Sequence, residues 1–294
     1  MGATTVDTDD RGLRKGKWAP YGLLSPGIIW LLLFFLVPLM ILARAALSSK
    51  PSRFVDPEFT WETSNFATAF QDYGTEFVRS FAYAGTATVL AILIGYPLAY
   101  WIVTQGGRWR NLLIGLVVVP FFTSYLIRTI AWGAILQDSG PLNSILLALP
   151  LVPEDFKLTN EWYTVVGGLT YNFISFMILP IYVSLEKIDF RLTEAAADLY
   201  STPWAAFRKV VLPLSLPGVF AGSLLVFIPA AGDYLNARYL GNPNTTMIGT
   251  VVQNKFLVQF DYPVAAALSL VLMAIITVMV LIYSKFLGTE GLAV

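Results

Sequence analysis

Long uncharged apolar runs constrain this chain more than any other feature. Five of them, at 21–43, 81–103, 162–185, 210–231 and 262–284, contain no Asp, Glu, Lys or Arg, and a sixth, 112–136, contains only Arg128. A bilayer core about 30 Å thick takes about 20 apolar helical residues to cross. Lipid offers no partner for backbone N–H and C=O groups, so such runs must close their hydrogen bonds within themselves, as helices do. Composition agrees: 56% of the 294 residues are hydrophobic and 13% charged, against about 45–50% and about 25% in soluble domains. The runs predict an all-α membrane protein with six transmembrane helices and both termini on one side.

The first run follows basic residues, and Ala43-Arg44-Ala45 loosely fits a cleavage site. The run is longer than the roughly 7–15 apolar residues of a signal peptide, so it is read as a retained span.

Several chemistries are excluded. The chain has no Cys and no His, which removes disulfides, thiolate metal sites, His-ligated zinc and the Ser-His-Asp and Cys-His triads. Gly12-Leu-Arg-Lys-Gly-Lys17 comes nearest to a phosphate-binding loop. It is one residue short, and Trp18 stands where Ser or Thr is needed. Any ATP and Mg²⁺ used must therefore be bound by another chain, and no cofactor is expected on this one. Zero net charge gives no reason to expect a nucleic-acid partner.

Orientation follows from Lys and Arg in the short loops. With the N-terminus cytoplasmic, the inner segments hold Arg11, Arg14, Lys15, Lys17, Arg108, Arg110, Lys187, Arg191, Arg208, Lys209 and Lys285. The outer loops, 45–80, 137–161 and 232–261, carry acids and Pro, Asn or Asp turn residues.

The inner loop 186–209 reads as two short helices. Leu192, Ala195, Ala196 and Leu199 fall on one helical face. Ser201-Thr202-Pro203 breaks the chain, and Thr202 can cap a second helix with Pro203 at its first position. Trp204, Phe207 and Val211 form the apolar face of that helix. Leu212-Pro213 through Leu216-Pro217-Gly218 then bends the chain into the fifth span. From the residues alone, the loop is either an amphipathic element lying on the membrane surface or a docking element.

Glu194-Ala-Ala-Ala-Asp-Leu-Tyr200, nine residues, then Val210-Val-Leu-Pro213 resembles the EAA motif of ABC-importer permeases, with its spacing kept. The resemblance implies that the loop couples to an ATP-binding subunit through Glu194, Ala195, Ala196, Leu199, Tyr200, Trp204 and Phe207. Glu194 suits a helix N-terminus or a basic partner. Tyr200 departs from the family pattern, which has Gly there. Glycine takes positive φ freely and Tyr only with strain, so the expectation is that Ser201-Thr202-Pro203 remakes the turn or that the partner's groove differs.

Three further stretches resemble the permeases of the spermidine/putrescine group, specifically the subunit with the longer N-terminal region. They are Pro120-Phe-Phe-Thr-Ser-Tyr-Leu-Ile-Arg128-Thr-Ile-Ala-Trp132 with Gly140-Pro-Leu-Asn143, Ile228-Pro-Ala-Ala-Gly-Asp233-Tyr234, and Leu240-Gly-Asn-Pro-Asn-Thr-Thr-Met247-Ile-Gly249 leading to Tyr262-Pro-Val-Ala265. Opine, amino-acid and iron permeases share parts of the pattern. The implied fold is the type I ABC-importer permease fold with cytoplasmic coupling helices. The implied organisation is a cytoplasmic tail (1–18), a first helix and outer loop (19–76), the importer transmembrane domain (77–286) and a cytoplasmic tail (287–294).

A polyamine is a flexible polycation that needs carboxylates for its ammonium groups and aromatic faces for cation–π and methylene contacts. Asp233, Tyr234 and Tyr239 follow Pro229 and Gly232, where the fifth span is expected to break. Asp233 is either an ammonium partner or a solvated loop acid. Arg128, 18 residues beyond Arg110, would lie about 27 Å along a straight helix. There it either snorkels or pairs with an acid such as Asp138, or it gates a cation. Tyr125, Trp132, Tyr171 and Asn172 either line the pathway or pack and anchor the spans.

The resemblance implies a multi-pass subunit of the bacterial cytoplasmic (inner) membrane with both termini cytoplasmic. Its implied partners are a second homologous permease, two ATP-binding subunits, an extracytoplasmic substrate-binding protein and membrane lipid. A secondary transporter would call for paired intramembrane carboxylates or repeated halves with broken helices, and neither is visible in the sequence. A membrane enzyme lacks its usual residues.

Overall fold

A computed structural model describes residues 19–50, 55–147 and 158–287. The expected tails, 1–18 and all but the first residue of 287–294, lie outside the described residues. The chain divides into two units, Met1–Arg44 and Ala45–Val294.

The first unit is helical. α1 (Ala19–Leu31) passes through a π turn (Leu32–Leu36) into α2 (Val37–Ala46), and together they supply a span over Leu24–Ala46. It exposes Ile29, Leu31, Phe34 and Phe35 around its circumference, as a helix surrounded by apolar material does.

The second unit opens with a short antiparallel pairing of β1 (Ser48–Ser49) and β2 (Glu58–Phe59). Asn65 ties it to the next helix by donating to the Ala46 and Ser48 carbonyls, both at 2.9 Å. α3 (Ser64–Gln105), α7 (Trp162–Glu186) and α10 (Leu212–Ala231) then form the core. α3 runs as one helix through residues 76–77.

Small residues build this core. α3 buries Ala84, Ala87, Thr88, Ala91, Gly95 and Ala99 along one stripe, each three or four residues from another of the set. α10 buries Gly218, Gly222, Val226 and Ala230 at intervals of one turn. A Cβ on Gly218 would lie 2.5 Å from the Pro180 carbonyl oxygen of α7, and one on Gly222 would lie 2.8 Å from Met177 Sδ. In lipid the hydrophobic effect does not drive helices together, and close backbone approach through small residues supplies the packing instead. α7 fills the gap with Leu169, Met177, Ile181 and Leu185, all fully buried. Tyr96 and Ser215 share a buried 2.7 Å hydrogen bond between α3 and α10.

The third apolar run is not one straight span. α4 (Arg110–Val118) ends in a 3₁₀ turn (Val119–Phe122), and α5 (Tyr125–Leu136) departs after Thr123 and Ser124. The two arms meet at 95°. Thr123 and Ser124 both have extended ψ, 136° and 130°, and Pro120 brings no N–H to the turn before it. Ser175 of α7 donates to the Val117 carbonyl at 2.9 Å, meeting the need for a donor at a broken helix in lipid. α5 is 12 residues, about 18 Å, too short to cross alone. The straight-helix placement of Arg128 fails with the bend. α6 (Pro141–Leu147) continues this arm.

The other helices extend the two ends. At the end of the core where α10 finishes, α11 (Leu235–Leu240) and α12 (Ile248–Gln253) precede α13 (Tyr262–Leu287). Ile248 N donates to Ser80 at 2.7 Å, and Arg79 donates to the Thr246 carbonyl at 2.8 Å. Ala69, Phe77, Ile248, Val251, Leu268 and Val271 form a second apolar cluster. At the opposite end Arg110 pairs with Glu186 at 3.0 Å and stands over the Tyr182 ring.

Candidate functional site: a capped elbow and a buried acid cluster

Two constructions lie at opposite ends of α10. The first is the elbow of α8 (Arg191–Asp198) and α9 (Pro203–Ala206). Ser201 N donates to Ala196 O at 3.0 Å and Tyr200 N to Ala197 O at 2.9 Å. This pair of bonds is a Schellman turn, which places the residue after the C-cap in the left-handed region. That residue is Tyr200, at φ 58°. Of the two alternatives, a turn remade by Ser201-Thr202-Pro203 is not adopted: Tyr200 itself takes the backbone a glycine would take, at roughly 1–2 kcal/mol of local strain. Thr202 then caps α9 by accepting from Ala205 N at 3.3 Å, with Pro203 at the first helical position.

From Pro203 the helix runs to Ala231 through a π turn at Phe207–Val211. No break interrupts the helix over 212–218, where a bend was expected. Pro213 sits at the start of α10, where its missing N–H is least disruptive.

The elbow's apolar residues divide into two sets. Leu199 is 81% exposed, Tyr200 98% and Trp204 69%. Phe207 is half-buried, edge-on to Tyr96 and Tyr100 of α3, and it carries Trp204 stacked at 5.4 Å. Phe207 thus roots the elbow while Trp204 faces outward. Glu194 and Ala195 are exposed and Ala196 is half-buried.

The second construction joins α5, α7 and α11. Asp233 is 6% exposed, one residue beyond the C-cap of α10. Its Oδ2 accepts the Tyr125 hydroxyl. Its Oδ1 accepts Asn236 N at 2.8 Å and Asn236 Nδ2 at 3.2 Å. Asn236 Nδ2 also donates to Tyr125 Oη, and Asn236 Oδ1 accepts from Asn172 Nδ2 at 3.1 Å. Asn172 further donates to Thr129 Oγ1 at 3.1 Å. Both hydrogens of each amide are used, while Asn172 Oδ1 is buried without a partner.

The sequence-chosen residues are thus only partly assembled. Tyr125 and Asp233 are brought into contact, and Arg128 lies 5.9 Å from the Tyr125 ring centroid. Arg128 makes no ion pair among the described residues, and Asp138 instead accepts from Thr159. Tyr234 and Tyr239 point away, 39% and 45% exposed. Trp132 meets Tyr171 edge-on at 5.0 Å, and both line an apolar cavity of about 400 Å³ with Leu90, Ile94 and Ile174. Thr129 and Asn236 escaped the sequence reading. Asn236 had a signal, since Asp233 and Asn236 are three apart after a glycine. Thr129 had none.

Chemically, the cluster presents a carboxylate whose two oxygens are already occupied. It holds α5 and α11 together and offers no ligand surface while Tyr125 stays in place.

The transport-system family described as "binding-protein-dependent transport system inner membrane component" matches residues 87–287. The spermidine/putrescine transport system permease protein PotB of Haemophilus influenzae is 36% identical over 258 residues, covering 87% of this chain and 90% of that protein. Among solved structures, a bacterial ABC transporter that imports the acidic polysaccharide alginate superposes with TM-score 0.69 at 22% identity, covering 92% of this chain and 95% of that one. The alginate transporter in complex with an alginate pentasaccharide-bound periplasmic protein gives TM-score 0.66 at 21% identity, covering 91% and 93%. The fold is that of a type I ABC-importer permease, and the chain belongs to the family of inner membrane components of binding-protein-dependent transport systems.

Proposed function

We propose that this chain forms half of the translocation pathway of an ATP-driven polyamine importer, carrying spermidine and putrescine. The observation that carries the ATP-driven part is the elbow: a capped, rooted and uncovered structure on a chain with no phosphate-binding loop. The 36%-identical spermidine/putrescine permease of Haemophilus influenzae supports the substrate class.

In this reading the chain performs no covalent chemistry and holds no cofactor. Two ATP-binding subunits carry ATP and Mg²⁺, and a second homologous permease completes the pathway. An extracytoplasmic binding protein delivers the solute, as the alginate-loaded periplasmic protein of the solved relative suggests. Both termini lie in the cytoplasm. ATP-driven closure of the partner pair pushes on the elbow, and α10 carries the displacement to the α5–α11 cluster. The permease pair then switches between two access states. Asp233 becomes an ammonium partner only when Tyr125 withdraws. Arg128 biases that position electrostatically. Tyr234, Tyr239, Tyr125 and Trp132 supply aromatic faces along the way.

The test is ATP hydrolysis by the reconstituted complex with its binding protein, across a panel of polyamines, opines, amino acids and ferric chelates. Stimulation by spermidine and putrescine supports the reading. Stimulation by another class alone rejects the substrate assignment.

A further inference from the structure

The tip of the elbow is built to hold one exposed aromatic ring in a fixed place. The Tyr200 backbone is pinned before the tip by the Ala196 and Ala197 carbonyls and after it by the Thr202 cap and Pro203. Its side chain is almost fully exposed. Leu199 and Trp204 flank it, also exposed, and Trp204 rests on Phe207, which Tyr96 and Tyr100 hold edge-on. A ring presented by a preorganised backbone loses little freedom on binding. Tyr and Trp are also the residues most often found to dominate interfaces.

Charge distinguishes a protein partner from the bilayer. Along α8 the exposed Arg191 stands at the start, followed by the exposed acids Glu194 and Asp198 toward the tip, while the exposed Arg208 and Lys209 lie on the π turn leading into the membrane helix. The cations suit anionic headgroups where the chain enters the membrane. The acids oppose burial of the tip in the same surface and complement a basic rim on a protein.

We propose that Tyr200 is the partner-selecting anchor of the elbow. Its ring enters an apolar slot on the ATP-hydrolysing subunit, and basic side chains around the slot face Glu194 and Asp198. This inference rests on the reading of the chain as an ATP-driven permease. Because the ring stands on a left-handed backbone, a permease with glycine at this position presents the same turn without the anchor, and an ATPase lacking the slot rejects Tyr200 sterically.

The experiment measures binding of the ATP-hydrolysing subunit to the permease pair in nanodiscs. Tyr200→Gly and Tyr200→Asn keep or relax the left-handed turn while removing the ring, and Tyr200→Phe keeps the ring. An anchor requires the Gly and Asn variants to bind about tenfold or more weakly and the Phe variant to stay within about threefold. Binding by Tyr200→Gly equal to or tighter than wild type overturns the proposal, since Tyr200 would then be only a strained turn residue. Failure of the wild-type pair to bind any ATP-hydrolysing subunit removes the underlying reading instead. The chain has no cysteine, so Leu199→Cys, which keeps Tyr200, labelled with an environment-sensitive fluorophore reports the occupant directly. A blue shift only on adding the ATP-hydrolysing subunit supports the slot. A blue shift on incorporation into lipid alone assigns the tip to the membrane and overturns it.

Discussion

Tyr125, the first residue of α5, donates its hydroxyl to Asp233, just past the end of α10, and so helps close the broken arm of the third span onto the start of α11. Asn236 donates to both residues, so the three side chains form one unit.

Removing the Tyr125 hydroxyl leaves a buried carboxylate oxygen without its donor. Tyr125→Phe is expected to destabilise the solubilised permease by roughly 1–3 kcal/mol, seen as a lowered thermal midpoint. Asp233→Asn is expected to cost less, because the amide can donate to Tyr125 Oη while its oxygen still accepts from Asn236 N. The double variant should lose less than the sum of the two, with a coupling of about 0.5–3 kcal/mol. Strict additivity in the melting cycle would show that the two side chains do not act together.

The α7–α10 contact predicts a contrast between glycines. Gly218→Ala places a methyl 2.5 Å from the Pro180 carbonyl oxygen and 2.6 Å from Ser184 Cβ, a clash that backbone must relieve at about 1–3 kcal/mol. Gly167→Ala meets nothing within 4 Å and should gain up to about 1 kcal/mol from helix propensity. Thermal melts of the two single variants should move in opposite directions.

Loss of the elbow cap is expected to show locally. Thr202→Ala removes the acceptor for Ala205 N at about 0.5–1 kcal/mol for this long bond. Amide hydrogen exchange over 203–211 should quicken severalfold, while exchange in the buried stretch of α7 stays unchanged. Unaltered exchange at Ala205 would remove the cap from the account.

Much of the fold was legible because bilayer thickness and backbone satisfaction leave few alternatives for long apolar runs. The elbow was legible from Thr202-Pro203 and the spacing of Leu192, Ala195, Ala196 and Leu199. Two features depend on tertiary structure for physical reasons. Length and apolarity alone predict a straight third span, although Pro120 and the Thr123-Ser124 pair mark the break and Ser175 supplies the donor that lets it persist. The propensity of Tyr200 says only that positive φ costs strain, and it is the hydrogen bonds to two carbonyls of α8 that hold the turn. The burial of Asp233 was not visible, because Tyr125 and Asp233 stand 108 residues apart and only the packing of α5 against α11 brings them together.

The central claim is that this chain moves polyamine only when a partner hydrolyses ATP. Its most direct test is uptake of radiolabelled spermidine by proteoliposomes holding the permease pair and the ATP-hydrolysing subunits. Binding protein and spermidine are supplied outside, with either enclosed ATP or an imposed proton gradient. The account predicts uptake with enclosed ATP and none with the gradient alone. Uptake driven by the gradient in vesicles without the ATP-hydrolysing subunits would contradict it.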